Sequence, residues 1–235
     1  MGLMDFVKGV GKKIGIGDDE PEAQAPVVAS ETARAPSPAE VAARNARRAD
    51  RIRQHLVDDL KLPIDGLDIS CKARTVTLTG TVDTQATREK VVIAIGNLNG
   101  IEQVDDRIEV PDPAPPAVFH TVEEGDTLSK IAREYYGVMR MYDGVFEANT
   151  PMLEHPDRIY PGQVLRIPPA HAPTHTVAKG ESLSLIAKFW YGDLMKYPLI
   201  FDANRDVLSS PDVVSPGQSL RIPLVNPKVE PPKIA

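Results

Sequence analysis

The residues of this chain that could do chemistry are few and scattered. Five histidines occur in 235 residues, His55, His120, His155, His171 and His175. None has the close sequence neighbours of a metal-ligand pair or a hydrolytic triad. His120 and His175 open equivalent segments, which assigns them to the framework. The single cysteine, Cys71, lies on the apolar side of an alternating run and reads as a small buried hydrophobe. Asp105 and Asp106 are adjacent and therefore face opposite sides of a strand, so they are not a paired acid and base. Gly15-Ile16-Gly17 has neither the preceding strand nor the third glycine of a dinucleotide fingerprint. The inventory points to a binding protein with no catalytic residues and no organic cofactor.

Bulk charge narrows the partners. With a net charge of −6 the chain has no diffuse basic field to attract nucleic acid. Its one basic cluster, Arg44, Arg47, Arg48, Arg51 and Arg53, falls at helical spacing with acids close by and reads as a solvated helix face. One cysteine forms no internal disulfide, which favours a reducing compartment. The segment Met1 to Lys8 carries Asp5 and no apolar run of signal-peptide length, and no stretch approaches the ~18 apolar residues of a membrane span. A soluble, cytoplasmic monomer is expected.

The elements that must position any site come from a repeat. His120-Thr121-Val122 to Arg166-Ile167-Pro168 recurs without a gap as His175-Thr176-Val177 to Arg221-Ile222-Pro223, with roughly half the positions identical. Each copy begins with a short extended run ending in a glycine (Gly125, Gly180). Asp126-Thr127-Leu128 or Glu181-Ser182-Leu183 follows, an acid and a hydroxyl placed to cap a helix. Gly137 and Gly192 suit its C-terminal stop. A second helical stretch ends near Asn149 or Asn204. Pro161-Gly162-Gln163 and Pro216-Gly217-Gln218 then lead into a closing alternating strand. The unit is βααβ.

Residues 47–110 carry another pattern. A helix through Ile52, Leu56 and Leu60 precedes two alternating strands, Leu67/Ile69/Cys71 and Val76/Leu78/Gly80. A helix through Val91, Val92, Ile95 and Leu98 and a strand from Ile101 to Val110 complete an αββαβ unit. The fold class is α+β, with three small modules: 47–110, 119–168 and 174–223. Pro-rich spacers at 111–118 and 169–173 separate them. An Ala/Pro-rich linker at 17–46 runs into the first helix of the αββαβ unit, and residues 224–235 are expected to be a disordered tail. In residues 1–16, Leu3, Phe6, Val7, Val10 and Ile14 lie on one face of a short amphipathic helix, which is expected to pack back onto the chain's own domains.

On these residues the repeats resemble LysM modules, through Gly-Asp-Thr-Leu-Ser-Lys-Ile-Ala in the first and Pro-Gly-Gln-x-Leu-Arg-Ile-Pro closing both. Residues 47–110 resemble a BON domain, through Val76-Thr77-Leu78-Thr79-Gly80 and Gly100-Ile101 followed by Val104-Asp105-Asp106. Together with the Met-Gly-Leu-x-x-Phe-Val-Lys start, the combination is similar to the small potassium-binding BON–LysM family of bacteria. It departs from that pattern in its Ala/Pro insert and its second LysM.

The resemblance implies a potassium site built from backbone carbonyls of Val7 and Val10 at the N-terminus and of Gly96, Leu98 and Ile101 in a Gly-flanked loop. Such a site suits the ion, because carbonyl dipoles of fixed number and spacing replace its weakly held water shell. An ordinary helix-to-strand turn would look the same in sequence. LysM modules also resemble binders of N-acetylglucosamine polymers such as peptidoglycan. Carried over, the groove residues are Gly125, Asp126, Thr127, Leu128, Asn149, Ile159 and Pro161 in the first copy. In the second they are Gly180, Glu181, Ser182, Leu183, Asn204, Val214 and Pro216. Each of these also has a capping, turning or core-filling role to serve. Potassium binding with the LysM modules packed around it is therefore the first expectation, and tandem glycan binding the alternative.

Overall fold

A computed structural model of the chain describes residues 2–5, 36–112 and 114–229. The chain divides into two compact units, the first formed by Met1–Ala114, Thr121–Glu123 and Tyr160–Leu165, the second by Pro115–His120, Glu124–Ile159 and Arg166–Ala235.

The first unit is built on a four-stranded sheet. Strand β1 spans Gly2–Asp5. Helix α1 spans Pro38–Gln54 and starts at a reciprocal capping box. Glu40 N–H donates to Ser37 Oγ at 3.3 Å and Ser37 N–H to Glu40 Oε2 at 2.6 Å. The Ser37 N–H, and after it the Ser37 hydroxyl, hold the Glu40 carboxyl below the usual carboxylate range. The helix therefore begins nine residues before the expected Arg47, inside the stretch assigned to linker, because Ser37 and Pro38 act there as cap and first-turn residue. It ends in a π-helical turn at His55–Asp59. Strands β2 (Asp65–Lys72) and β3 (Thr75–Thr81) form an antiparallel hairpin. Helix α2 (Gln85–Gly96), capped by the Thr84 side chain, returns the chain to β4 (Gln103–Glu109), which runs parallel to β3. The order is β1-β4-β3-β2. Ile52, Leu56, Val76, Leu78, Val91, Ile95, Val104 and Ile108 form the core, all at most 3% exposed. Truncating Leu78 or Ile95 to alanine there removes about 2–5 kcal/mol. Cys71 is half-buried on β2.

Residues 2–5 correct one expectation. They do not begin a helix; they pair antiparallel with β4, Gly2 opposite Asp106 and Asp5 opposite Gln103. Backbone pairing to a sheet edge outweighs the helical periodicity of Leu3 and its successors, since propensity is a weak prior against tertiary context. Residues 6–16 lie outside the described residues.

The two repeats have the expected βααβ order. In the first, β5 (Val118–Thr121) is followed by α3 (Leu128–Tyr136), a 3-10 turn, α4 (Tyr142–Ala148) and β6 (Val164–Ile167). In the second, β7 (Thr174–Thr176) precedes α5 (Leu183–Tyr191), a 3-10 turn, α6 (Tyr197–Ala203) and β8 (Ser219–Arg221). Strands β5 and β6 form one two-stranded sheet, β7 and β8 another. Thr127 and Ser182 cap the first helices by accepting from Lys130 N–H and Leu185 N–H. Gly137 and Gly192 stop them in the left-handed region, at φ 70° and 75°. Tyr136 and Tyr191 are enclosed behind these helices and donate to the carbonyls of Pro168 and Pro223. Burial pushes both phenols far above their ordinary pKa.

Residues 225–229 correct the expectation of a disordered tail from 224 on, because they are tied back to α3. Val225 N–H donates to Tyr136 O at 3.0 Å and Lys228 N–H to Tyr135 O at 2.8 Å, so the segment satisfies the terminal carbonyls of α3. Lys228 Nζ also meets Glu134 Oε1 at 2.6 Å, and Val229 is 2% exposed. Residues 230–235 lie outside the described residues.

Candidate functional site

The Gly96–Ile101 loop sits where α2 ends and β4 has not yet begun. A helix C-terminus presents carbonyls without amide partners and carries a partial negative charge that favours cations. Gly96, Leu98 and Ile101 are buried. The Leu98 carbonyl accepts a long bond, 3.4 Å, from Ile101 N–H. Gly100 turns the chain at φ +79°.

The loop is held from two sides. Arg48, on α1, donates through Nη1 to Ala73 O at 2.8 Å and through Nη2 to Gly100 O at 3.0 Å. A carbonyl of this loop thus already accepts a cation. The φ of +79° favours glycine at position 100, and a Cβ there would displace Arg48 Nη2. On the other side, the Asn97 carboxamide pairs with strand β6: Nδ2 donates to Val164 O at 2.9 Å and Oδ1 accepts from Val164 N–H at 2.8 Å. Asn97 is 3% exposed, and these two bonds satisfy a buried amide that would otherwise cost about 1–3 kcal/mol. Arg53 likewise donates to Leu67 O at 2.6 Å. The arginine cluster is therefore not wholly a solvated face: two of its members fasten α1 to the hairpin and the loop. Helical spacing identified the stripe, but its carbonyl partners lie 14 to 52 residues away.

Strand β1 brings a second part of the chain to this end of the sheet. Its Asp5 lies opposite Gln103, the first residue of β4 and two positions from Ile101. Val7 and Val10 lie outside the described residues.

The groove residues of the repeats divide into framework and surface. Asn149 Nδ2 donates to Val145 O and Arg166 O while its Oδ1 accepts from Arg166 N–H. Asn204 repeats the pattern with Ile200 O, Arg221 O and Arg221 N–H. Both are 1% exposed, and Leu128 and Leu183 are equally enclosed, so these four positions hold the fold. Thr127 and Ser182 are caps, as above. Gly125 and Gly180, both at φ +85° with open space in front of them, and Pro161 and Pro216 remain at the surface, with Ile159 and Val214 half-buried. Asp126 and Glu181 face inward to the histidines: His120 Nε2 lies 3.0 Å from Asp126 Oδ2, and His175 Nε2 2.8 Å from Glu181 Oε2. Sequence reading made the histidines structural without finding these acids. The spacing of six residues in each copy is the signal that could have found them. Glu181 also accepts from Ala178 N–H at 2.7 Å, and that bond, then His175, holds its carboxyl below the usual range. Among the described residues, no group of three or more His, Cys, Asp or Glu could hold a metal ion, and no helix is long and apolar enough to cross a membrane.

The BON domain family matches residues 44–112, and the LysM domain family matches 120–168 and 175–223. The potassium binding protein Kbp of Escherichia coli O6:H1 (strain CFT073) is 43% identical over 121 residues, 52% of this chain and 81% of that protein. An uncharacterised protein of Deinococcus radiodurans is 51% identical over 49 residues, 21% of this chain and 19% of its own. An esterase of Mycobacterium tuberculosis (strain H37Rv) is 34% identical over 122 residues, a quarter (25%) of its length. The crystal structure of the spore cortex-lytic enzyme SleL of Bacillus megaterium is 26% identical across 47% of this chain and 23% of its own, with a TM-score of 0.20. A BON domain followed by LysM modules, and shared identity across most of the E. coli protein, settle the relationship: the chain belongs to the BON–LysM family of that potassium binding protein, with a second LysM module added.

Proposed function

We propose that this protein is a non-enzymatic, cytoplasmic potassium-binding protein whose ion site is formed by main-chain carbonyls of Gly96, Leu98 and Ile101 together with Val7 and Val10. The observation that carries the reading is the pairing of β1 with β4. It sets Asp5 opposite Gln103, two positions along the chain from Ile101, and this register supports the reading. The donor chemistry fits a large monovalent cation, since neutral carbonyls without carboxylates favour a weakly hydrated ion over a small divalent one. The likeness to a potassium binding protein of E. coli supports potassium as the ion.

Thermal unfolding of the full-length chain in KCl against NaCl at equal ionic strength tests this. Equal ionic strength cancels screening and leaves selective binding to the native state. A midpoint several degrees higher in potassium is expected, growing with the logarithm of its concentration; equal midpoints reject the reading.

A second reading rests on a different observation. Both repeats keep their glycine turn, Gly125 and Gly180, open at the surface, and Pro161 and Pro216 are exposed as well, which supports contact with an N-acetylglucosamine polymer. Two such modules gain avidity on a repeating ligand. Retention of the chain on insoluble peptidoglycan, lost when both glycine turns are substituted, would favour it.

A further inference from the structure

We infer that Arg48 is the positioning residue of the ion loop: its guanidinium, by bridging Ala73 O and Gly100 O, fixes the spacing of the loop carbonyls on which potassium binding depends. This deepens the potassium reading and rests on it.

The geometry is specific to arginine. Nη1 and Nη2 each donate to one carbonyl, at 2.8 and 3.0 Å, from two segments that approach each other only in the folded unit: the β2–β3 turn and the α2–β4 loop. A planar fork makes two such bonds at once, whereas an ammonium is a point donor on a flexible stem. The cost of Ala73 at φ +54°, a conformation in which few alanines sit, is borne at the same staple. Gly100 completes it, because a side chain there would occupy the space of Nη2.

Other anchors hold the two ends of the loop: Asn97 is bound to Val164, and Glu102 N–H donates to Arg74 O at 2.9 Å while its carboxylate meets Arg74 Nη1 at 2.5 Å. Between them, Arg48 is bound to the carbonyl of Gly100 itself, and Leu98 O receives a 3.4 Å bond from Ile101 N–H. Carbonyls select an ion by number and separation, so a loop free to shift loses affinity by the energy needed to restore its arrangement. The positive charge of Arg48 opposes a second cation nearby. That repulsion is weakened because the guanidinium is partly exposed to solvent and is hydrogen-bonded to two carbonyl oxygens. Positioning is therefore the larger effect.

Three full-length variants separate these roles, each measured for its midpoints in KCl and NaCl at equal ionic strength and for half-saturation in a potassium titration. Arg48→Lys keeps the charge and loses the fork. Arg48→Gln loses the charge as well. Arg53→Lys is the control, since Arg53 also ties α1 to a carbonyl, Leu67 O at 2.6 Å, away from the loop. Both Arg48 variants are expected to need at least about tenfold more potassium and to lose most of the gap between the two salts. The Arg53 variant is expected to lower both midpoints together with half-saturation unchanged. If Arg48→Lys keeps the wild-type half-saturation and gap, Arg48 only supports the fold and the inference is wrong. If Arg48→Gln binds more tightly, repulsion dominates and the inference is equally wrong. Should either Arg48 variant fail to fold, the other carries the same readout. No gap in the wild-type chain would instead overturn the potassium reading itself, a result distinguishable from failure at Arg48 alone.

Discussion

The two LysM modules share their skeleton and differ in what closes their last strand. Val164 opens β6 and has both main-chain groups bound by Asn97, so all four residues of that strand are buried. Ser219, its counterpart at the same position of β8, is exposed. A second difference lies behind the conserved histidine. Tyr135 places its hydroxyl 3.2 Å from His120 Nδ1, whereas Trp190, at the equivalent site, packs edge-on against His175 and buries its Nε1 with no partner among the described residues. A third lies at the helix stop. Gly137 is covered by Val225 of the returning tail, while Gly192 meets only the thioether of Met139. Most of the exposed large apolar side chains, among them Phe189, Met195, Val207 and Val213, belong to the second module. The same βααβ unit can therefore be embedded or left open by a few side chains outside its own hydrogen-bond framework.

The framework itself should yield the largest effect. Asn149→Ala strands buried groups of Arg166 and is expected to cost about 3 kcal/mol in urea unfolding. Asn204→Ala should cost less, about 2 kcal/mol, because exposed Arg221 lets water replace part of the loss. Equal costs would show that embedding does not matter to this clamp.

Next comes the helix stop. Gly137→Ala combines a left-handed backbone with collision against the Val225 main chain and should remove more than about 2 kcal/mol. Gly192→Ala meets flexible Met139 atoms at 3.3 and 3.5 Å and should cost about 1 kcal/mol. Denaturant midpoints of the two variants measure the difference.

Asn97→Ala is expected to cost about 1–2 kcal/mol and to accelerate amide exchange at Val164, with Ser219 unchanged. Unchanged exchange at Val164 would remove Asn97 as the distinguishing contact between the modules.

The smallest effect is acidic. The Glu181 carboxyl is depressed in the folded chain, so its contribution is present above the unfolded carboxylate range and is lost as pH falls through the lower folded value. Glu181→Gln should flatten that acid limb in the second module while leaving neutral stability little changed, as followed by its amide signals in a pH titration.

Much of this molecule was legible from neighbours in sequence. The βααβ repeats, the caps Thr127 and Ser182 and the glycine stops depend on groups within a few residues of one another. The capping box at Ser37 and Glu40 was equally local, yet the surrounding alanines and prolines hid it. Residues 2–5 carried a helical period but pair with β4 about a hundred positions away. For the candidate site, the loop and its glycine could be found, but neither Arg48 nor Asn97 could be tied to it.

The sequence by itself determined the modules, their order and the residue types at the turns, because periodicity, capping and backbone sterics act over one or two helical turns. Only the tertiary structure decided which charged and amide side chains reach which carbonyls. Arg48 finds Gly100 across 52 residues, and Asn97 finds Val164 across 67. It also returned residues 225–228 to the end of α3. Such contacts form when apolar burial has closed the loops between their partners. Their hydrogen bonds follow from that closure, and no local pattern encodes the distance it will bridge.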